Sequence, residues 1–66
     1  MEKIVNEKFG CQIIEKNDKL FIRFDEGEIV VKFVEYEITR DEAEEAMKSE
    51  SEAYAVCLRA QSRNKH

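Results

Sequence analysis

The stretch EIVVKFVEYEI, from Glu28 to Ile38, decides how this chain is read. A strand with one wet face alternates apolar and polar side chains, yet here apolar residues occupy both alternating sets. The stretch therefore reads as the longest strand of a sheet, over about residues 28–38. The segments on either side are placed by reference to it.

Immediately before it, Asp25-Glu26-Gly27-Glu28 reads as a two-residue hairpin turn in which Gly27 supplies a positive φ. Working further back, LFIRFD alternates over residues 20–25 and FGCQIIE over residues 9–15, both as strands do. Between them, Asn17 and Asp18 tolerate the left-handed backbone that a primed two-residue turn needs at both central positions. Residues 1–8 are mixed, and Ile4 and Val5 either begin an edge strand or belong to a fraying end. Two short turns imply an antiparallel meander of three strands.

Register follows from the turns, and an odd slip would move every side chain to the other face. With two-residue loops at both turns, Ile13 lies opposite Ile22 and Ile22 opposite Val31. Cys11, Phe24 and Ile29 then form one cross-strand row, and Leu20 meets Phe33. One face collects Phe9, Cys11, Ile13, Leu20, Ile22, Phe24, Ile29, Val31 and Phe33, with no charge among them. The opposite face keeps Ile14, Phe21, Val30, Val34 and Tyr36, more large apolar groups than a solvated surface needs, and these five form the expected interface. In this register Val34 to Ile38 overhangs its neighbour and needs another strand to pair with.

Toward the C-terminus, Thr39 and Glu42 have capping-box spacing, with Ile38 and Ala43 placed for a hydrophobic staple. A helix is predicted over about residues 40–62, its apolar stripe formed by Ala43, Ala46, Met47, Ala53, Tyr54, Cys57, Leu58 and Ala60. The stripe is interrupted at residues 49–52. Ser49 and Glu52 repeat the capping-box spacing, so a break near residues 49–51 is the alternative. The expected fold is thus α+β: a three-stranded antiparallel meander with a C-terminal helix on one face, in a single domain of residues 1–66. Residues 63–66 are expected to form a disordered basic tail.

At 66 residues, such a chain buries only about 60% of the surface its unfolded form exposes, so the core needs a supplement. Two Cys and one terminal His do not make a closed zinc site, and two thiols in a reducing compartment stay free. Oligomerisation is left. The net charge of −4, the absence of a signal-like N-terminus and the lack of a long apolar run lead us to expect a cytoplasmic protein with no membrane partner.

Candidate chemistry is sparse. Cys11 and Cys57 face inward and have no neighbouring His, Ser49, Ser51 and Ser62 lack a base, and no glycine-rich phosphate loop is present. Asp25, Glu26 and Glu28 do not match a calcium loop. The acids Asp41, Glu42, Glu44, Glu45, Glu50 and Glu52 read first as complements to the helix dipole, with Arg59 and Arg63 at its other end. No catalytic, cofactor or metal residue is assigned, and no enzymatic activity is expected.

In topology alone, three antiparallel strands followed by a helix resemble the arm-type DNA-binding domains of some integrases. That resemblance implies a basic reading face, whereas here the face offers only Arg23 and Lys32, so nucleic acid is a disfavoured partner. The function expected from sequence is a small protein–protein interaction module, homodimeric through its second apolar face or its overhanging strand. The alternatives are an acidic inhibitor of a larger protein, such as a nuclease or defence enzyme, and a weak nucleic-acid binder.

Overall fold

The computed structural model describes residues 2–27 and 29–64 and is an α+β structure. Four strands, β1 (Lys3–Lys8), β2 (Cys11–Lys16), β3 (Lys19–Asp25) and β4 (Phe33–Ile38), are followed by α1 (Arg40–Ala46) and α2 (Glu50–Asn64). The sheet is an antiparallel meander in the order β1-β2-β3-β4.

The β2–β3 hairpin forms as its turn chemistry predicts. Asn17 and Asp18 are both left-handed, at φ 54° and 63°, and Ile13 lies opposite Ile22 and Cys11 opposite Phe24. A fourth strand, β1, precedes this hairpin. It is joined to β2 by a second two-residue turn, Phe9-Gly10, with φ of 54° and 77°. Phe9 therefore sits in a turn rather than in a strand. The pairing of β1 with β2 shifts between Ile4 and Asn6, a bulge that with Lys3 and Lys8 discourages further strands from adding to this edge.

The second predicted turn is not a two-residue loop. Ile22 pairs with Tyr36 in place of Val31, five positions further along, and Leu20 pairs with Ile38. Because the slip is odd, the inward set changes from Ile29, Val31 and Phe33 to Val34, Tyr36 and Ile38. The expected overhang disappears, since every residue of β4 is paired with β3. Glu28, the expected start of the long strand, lies outside the described residues; Ile29 to Lys32 belong to the connection.

Gly27 is also needed for a reason other than the predicted one. Its φ is not left-handed, but a Cβ there would stand 1.8 Å from the Val30 carbonyl oxygen. Close backbone approach, not a positive φ, selects glycine. The neck of the loop is closed by Asp25, whose Oδ1 accepts from the amides of Gly27 at 2.9 Å and Lys32 at 2.8 Å. The Glu26 amide donates to the Lys32 carbonyl at 2.9 Å.

The helical region takes the broken form. Thr39 and Glu42 make the full capping box at the start of α1. The chain tightens at Met47 and Lys48 and restarts at Ser49, whose Oγ accepts from the Glu52 amide at 3.2 Å. α2 then continues through Arg63 and Asn64, past the expected end, while Lys65 and His66 lie outside the described residues. Ala43, Ala46, Ala53, Val56 and Ala60 pack on Cys11, Ile13, Ile22, Phe24 and Ile38 to form the core. Small side chains on the helices let them lie close to the sheet.

Over this shared core, the Glu42 carboxylate links α1 to α2, and Arg59 adds a second link through Glu45 at 2.8 Å. Glu42, 8% exposed, accepts from the Thr39 amide, from Arg59 Nε at 3.2 Å and from both terminal nitrogens of Arg63 at 3.0 and 3.1 Å. Arg63 also donates to the Glu37 carbonyl at 3.1 Å, which ties the end of α2 to β4. The Arg63 guanidinium, with help from the Thr39 amide, holds the Glu42 carboxyl below the usual carboxylate range.

Candidate functional site

The five residues expected to form an interface do not share a surface. Val34 and Tyr36 lie on the helix side of β4 and pack against the core. Ile14 lies on the outer face of the sheet, opposite Ile4 and Phe21, but is completely buried. Val30 is in the β3–β4 loop and is 72% exposed. Of the five, only Phe21 and Ile14 remain neighbours on the outer face.

That face is roofed by the chain's own charges. Arg23 Nη2 donates to Glu35 Oε1 at 2.8 Å and to Glu2 Oε1 at 3.0 Å, and Glu35 also pairs with Lys16. The Lys16 ammonium sits 5.0 Å from the centre of the Phe21 ring, a cation–π contact. Lys16 and then Arg23 hold the Glu35 carboxyl below its usual range. The outer face thus presents a neutralised mesh over Ile14 and Phe21. Lys32, expected on this face beside Arg23, is instead in the loop.

Apart from Ile4 and Val5 on β1, each about half exposed, the exposed large apolar side chains gather toward the end of the sheet where the β1–β2 turn and the β3–β4 loop meet. Ile29 is 98% exposed, Val31 71% and Phe33 66%, and Phe9 projects from the neighbouring turn. Tyr54 and Leu58, on the exposed side of α2, join the same region. Between the turn, the loop and α2 runs an open groove of about 780 Å³, lined by Phe9, Phe24, Tyr54, Cys57 and Leu58, with Asp25, Glu26 and Glu50 at its margin. On the other side of Phe9 a second depression of about 720 Å³ reaches Phe33 and Arg23.

Phe9 is costly where it stands. A bulky side chain at φ 54° is a rare backbone state, and a turn of this type favours Asn or Asp before its glycine. No core contact explains the choice, for Phe9 is about half exposed and does not belong to the buried cluster. A local rule broken without a packing gain marks a place selected for something other than folding.

The groove has little chemical reactivity of its own. The Cys11 thiol donates to the Lys8 carbonyl at 3.3 Å, and burial raises its pKa. Burial and the adjoining Cys11 thiol push Cys57 up to about 12. Both are thus protonated at neutral pH, the unreactive form. Glu26, at the margin, accepts from Tyr36 Oη at 3.1 Å and from Gln61 Nε2 at 2.9 Å, so it fastens the loop to β4 and α2. Among the described residues, no group of three or more His, Cys, Asp or Glu side chains is placed to hold a metal ion. Among them, too, no helix is long and apolar enough to cross a membrane.

Comparison with known protein families, with curated proteins and with solved structures returns no match for this chain. Its function has to be read from its own side chains.

Sequence reasoning missed this surface because it assigned Ile29, Val31 and Phe33 to the core. The signal that could have found it was present in Phe9-Gly10. A glycine directly before the CQIIEK segment marks a turn, and a phenylalanine beside it is then exposed.

Proposed function

We propose that this protein is a cytoplasmic, non-enzymatic protein–protein interaction module that associates with a second copy of itself through the end carrying Phe9, Ile29, Val30, Val31 and Phe33. The observation behind this reading is the gathering of large exposed apolar side chains from separate elements at one end, while ion pairs lie over Ile14 and Phe21 on the outer sheet face. Burying one such side chain stabilises by about 1.5–3 kcal/mol, enough that several of them outweigh the cost of association. Aromatic anchors at the centre of a patch are what an interface uses most. The small core adds a motive, since much of the apolar content of this chain lies outside it.

Replacing Phe9 by Asn tests the reading. Relief of the left-handed strain offsets the loss of the half-buried ring, so unfolding free energy stays within about 1 kcal/mol of the parent. Self-association, measured by sedimentation equilibrium at tens of micromolar, weakens at least about tenfold, as expected for loss of an aromatic anchor. A parent chain that sediments as a monomer, or a variant that associates as tightly as the parent, refutes the proposal.

A further inference from the structure

The end that carries the apolar cluster contains both a projection and a recess, and the two adjoin. Asp25, Glu26 and Gly27 form one wall of the groove and also begin the loop whose tip bears Ile29, Val30 and Val31. When a projection and a matching recess lie side by side on one surface, a two-fold axis between two copies fits each projection into the other's recess, and both contacts form together. From this we infer that the groove floored by Phe24, Tyr54 and Leu58 receives the Ile29–Lys32 loop tip of a second copy, in a reciprocal loop-in-groove dimer. This rests on the self-association proposed above and names its geometry.

The tip does not occupy the groove of its own chain. The neck is closed by the two amides on Asp25 and by the Glu26–Lys32 backbone bond, and the tip side chains remain 98%, 72% and 71% exposed. An intermolecular contact is the way those side chains leave water.

Charge points the same way. The residues lining the groove include the acids Asp25, Glu26 and Glu50 but no lysine or arginine. The loop tip ends in Lys32, 67% exposed, whose ammonium approaches Glu26 of its own chain only to 3.6 Å. A partner's tip seated in the groove brings a second ammonium toward this acidic margin, where Glu50 stands beside Asp25 and Glu26. A stable interface removes at least about 1,200 Å² from water, and a two-fold contact counts each buried tip and each groove wall twice toward that area.

Two paired variants of the full chain decide the matter. Ile29→Ser with Val31→Ser damages the tip and leaves the groove, whereas Tyr54→Ala with Leu58→Ala damages the groove and leaves the tip. All four side chains are exposed, and circular dichroism checks that both variants keep the parent fold. In a reciprocal dimer each variant alone has both contacts damaged, so its self-association falls at least about tenfold. An equimolar mixture retains one intact tip-in-groove contact. Energy transfer between copies labelled at the N-terminal amine therefore reports mixed dimers about tenfold tighter than either variant with itself.

A groove variant that associates like the parent, or a mixture no tighter than its components, overturns the loop-in-groove geometry and leaves self-association standing. A parent chain that is monomeric at the same concentrations overturns both. Binding of a lysine-rich apolar peptide to the groove of a monomeric parent assigns the recess to a different partner and likewise overturns the inference.

Discussion

The β2–β3 and β3–β4 hairpins start from similar turn chemistry and arrive at different structures. Asn17-Asp18 closes a two-residue turn with both residues left-handed, and the strands on either side pair as far as the turn. Asp25-Glu26-Gly27 also offers turn-forming residues, yet the pairing partner of Asp25 is Phe33, and Glu26, Gly27 and Ile29 to Lys32 lie outside the strands. The first connection is held by backbone dihedrals. The second has its neck closed by the Asp25 carboxylate and the Glu26–Lys32 backbone bond, is fastened to β4 and α2 by the Glu26 carboxylate, and is favoured by the burial that a shifted β4 gains. A turn's residues thus set what is locally permitted, and the strand that follows chooses among registers by what it can bury.

Breaking the first hairpin gives the largest effect. Asn17→Ala with Asp18→Ala removes both residues that tolerate the left-handed region, at about 1–2 kcal/mol each, so the pair costs about 2–4 kcal/mol in urea unfolding. This hairpin joins the two central strands, so the loss is global and both hairpins melt together. A loss below about 1 kcal/mol, or a β3–β4 pairing that melts while β2–β3 persists, contradicts the assignment of the turn as the fixed point of the sheet.

Gly27→Ala acts on the second hairpin through space rather than through φ. The added Cβ meets the Val30 carbonyl at 1.8 Å, and because that atom is backbone the loop itself has to move. We expect about 1–3 kcal/mol of destabilisation, the usual range for overpacking, with a displaced loop tip visible as changed amide shifts from Ile29 to Phe33. Unchanged stability and unchanged shifts would mean that the approach is not a constraint.

These two substitutions also mark what the sequence could show. The Asn17-Asp18 turn and the capping box at Thr39 depend on contacts within a few residues and could be read directly, whereas the restart at Ser49 stands in the sequence only as the alternative to one continuous helix. The register of β4 depends on a choice between two apolar sets of equal size, Ile29, Val31 and Phe33 against Val34, Tyr36 and Ile38. The second set wins for reasons distant in sequence. It places the Tyr36 ring 5.9 Å from Phe24, gives Leu20 a partner in Ile38 and sets Ile38 directly before the helix cap.

The unpaired overhang in the short-turn register was itself the clue. Sliding β4 by five positions removes it and moves the surplus apolar residues into a loop. The expected outward facing of Val34 and Tyr36 reverses for the same reason, because the odd slip changes their parity. The covering of Ile14 and Phe21 was beyond sequence reasoning because it needs Glu2, Lys16, Arg23 and Glu35 to meet across separate segments.

The smallest effect distinguishes how the two connections are held. Asp25 Oδ1 accepts from the Lys32 and Gly27 amides, and these hold its carboxyl below the usual range. A carboxyl whose pKa is lower in the folded chain contributes stability that is complete above the unfolded value of about 3.9. That contribution is lost as pH falls through the lower folded value. Acidification below about pH 3.9 therefore loosens the neck of the β3–β4 loop, while the β2–β3 turn keeps its left-handed backbone. Amide resonances of Gly27 and Lys32 should move together with a midpoint below about 3.9, and Asp25→Asn, which keeps an acceptor but has no proton to gain, should abolish that shared titration. Gly27 and Lys32 titrating at different midpoints, or still titrating together in Asp25→Asn, would show that the neck is closed by something other than this carboxylate, and the contrast between a dihedral-held and a carboxylate-held hairpin would fail with it.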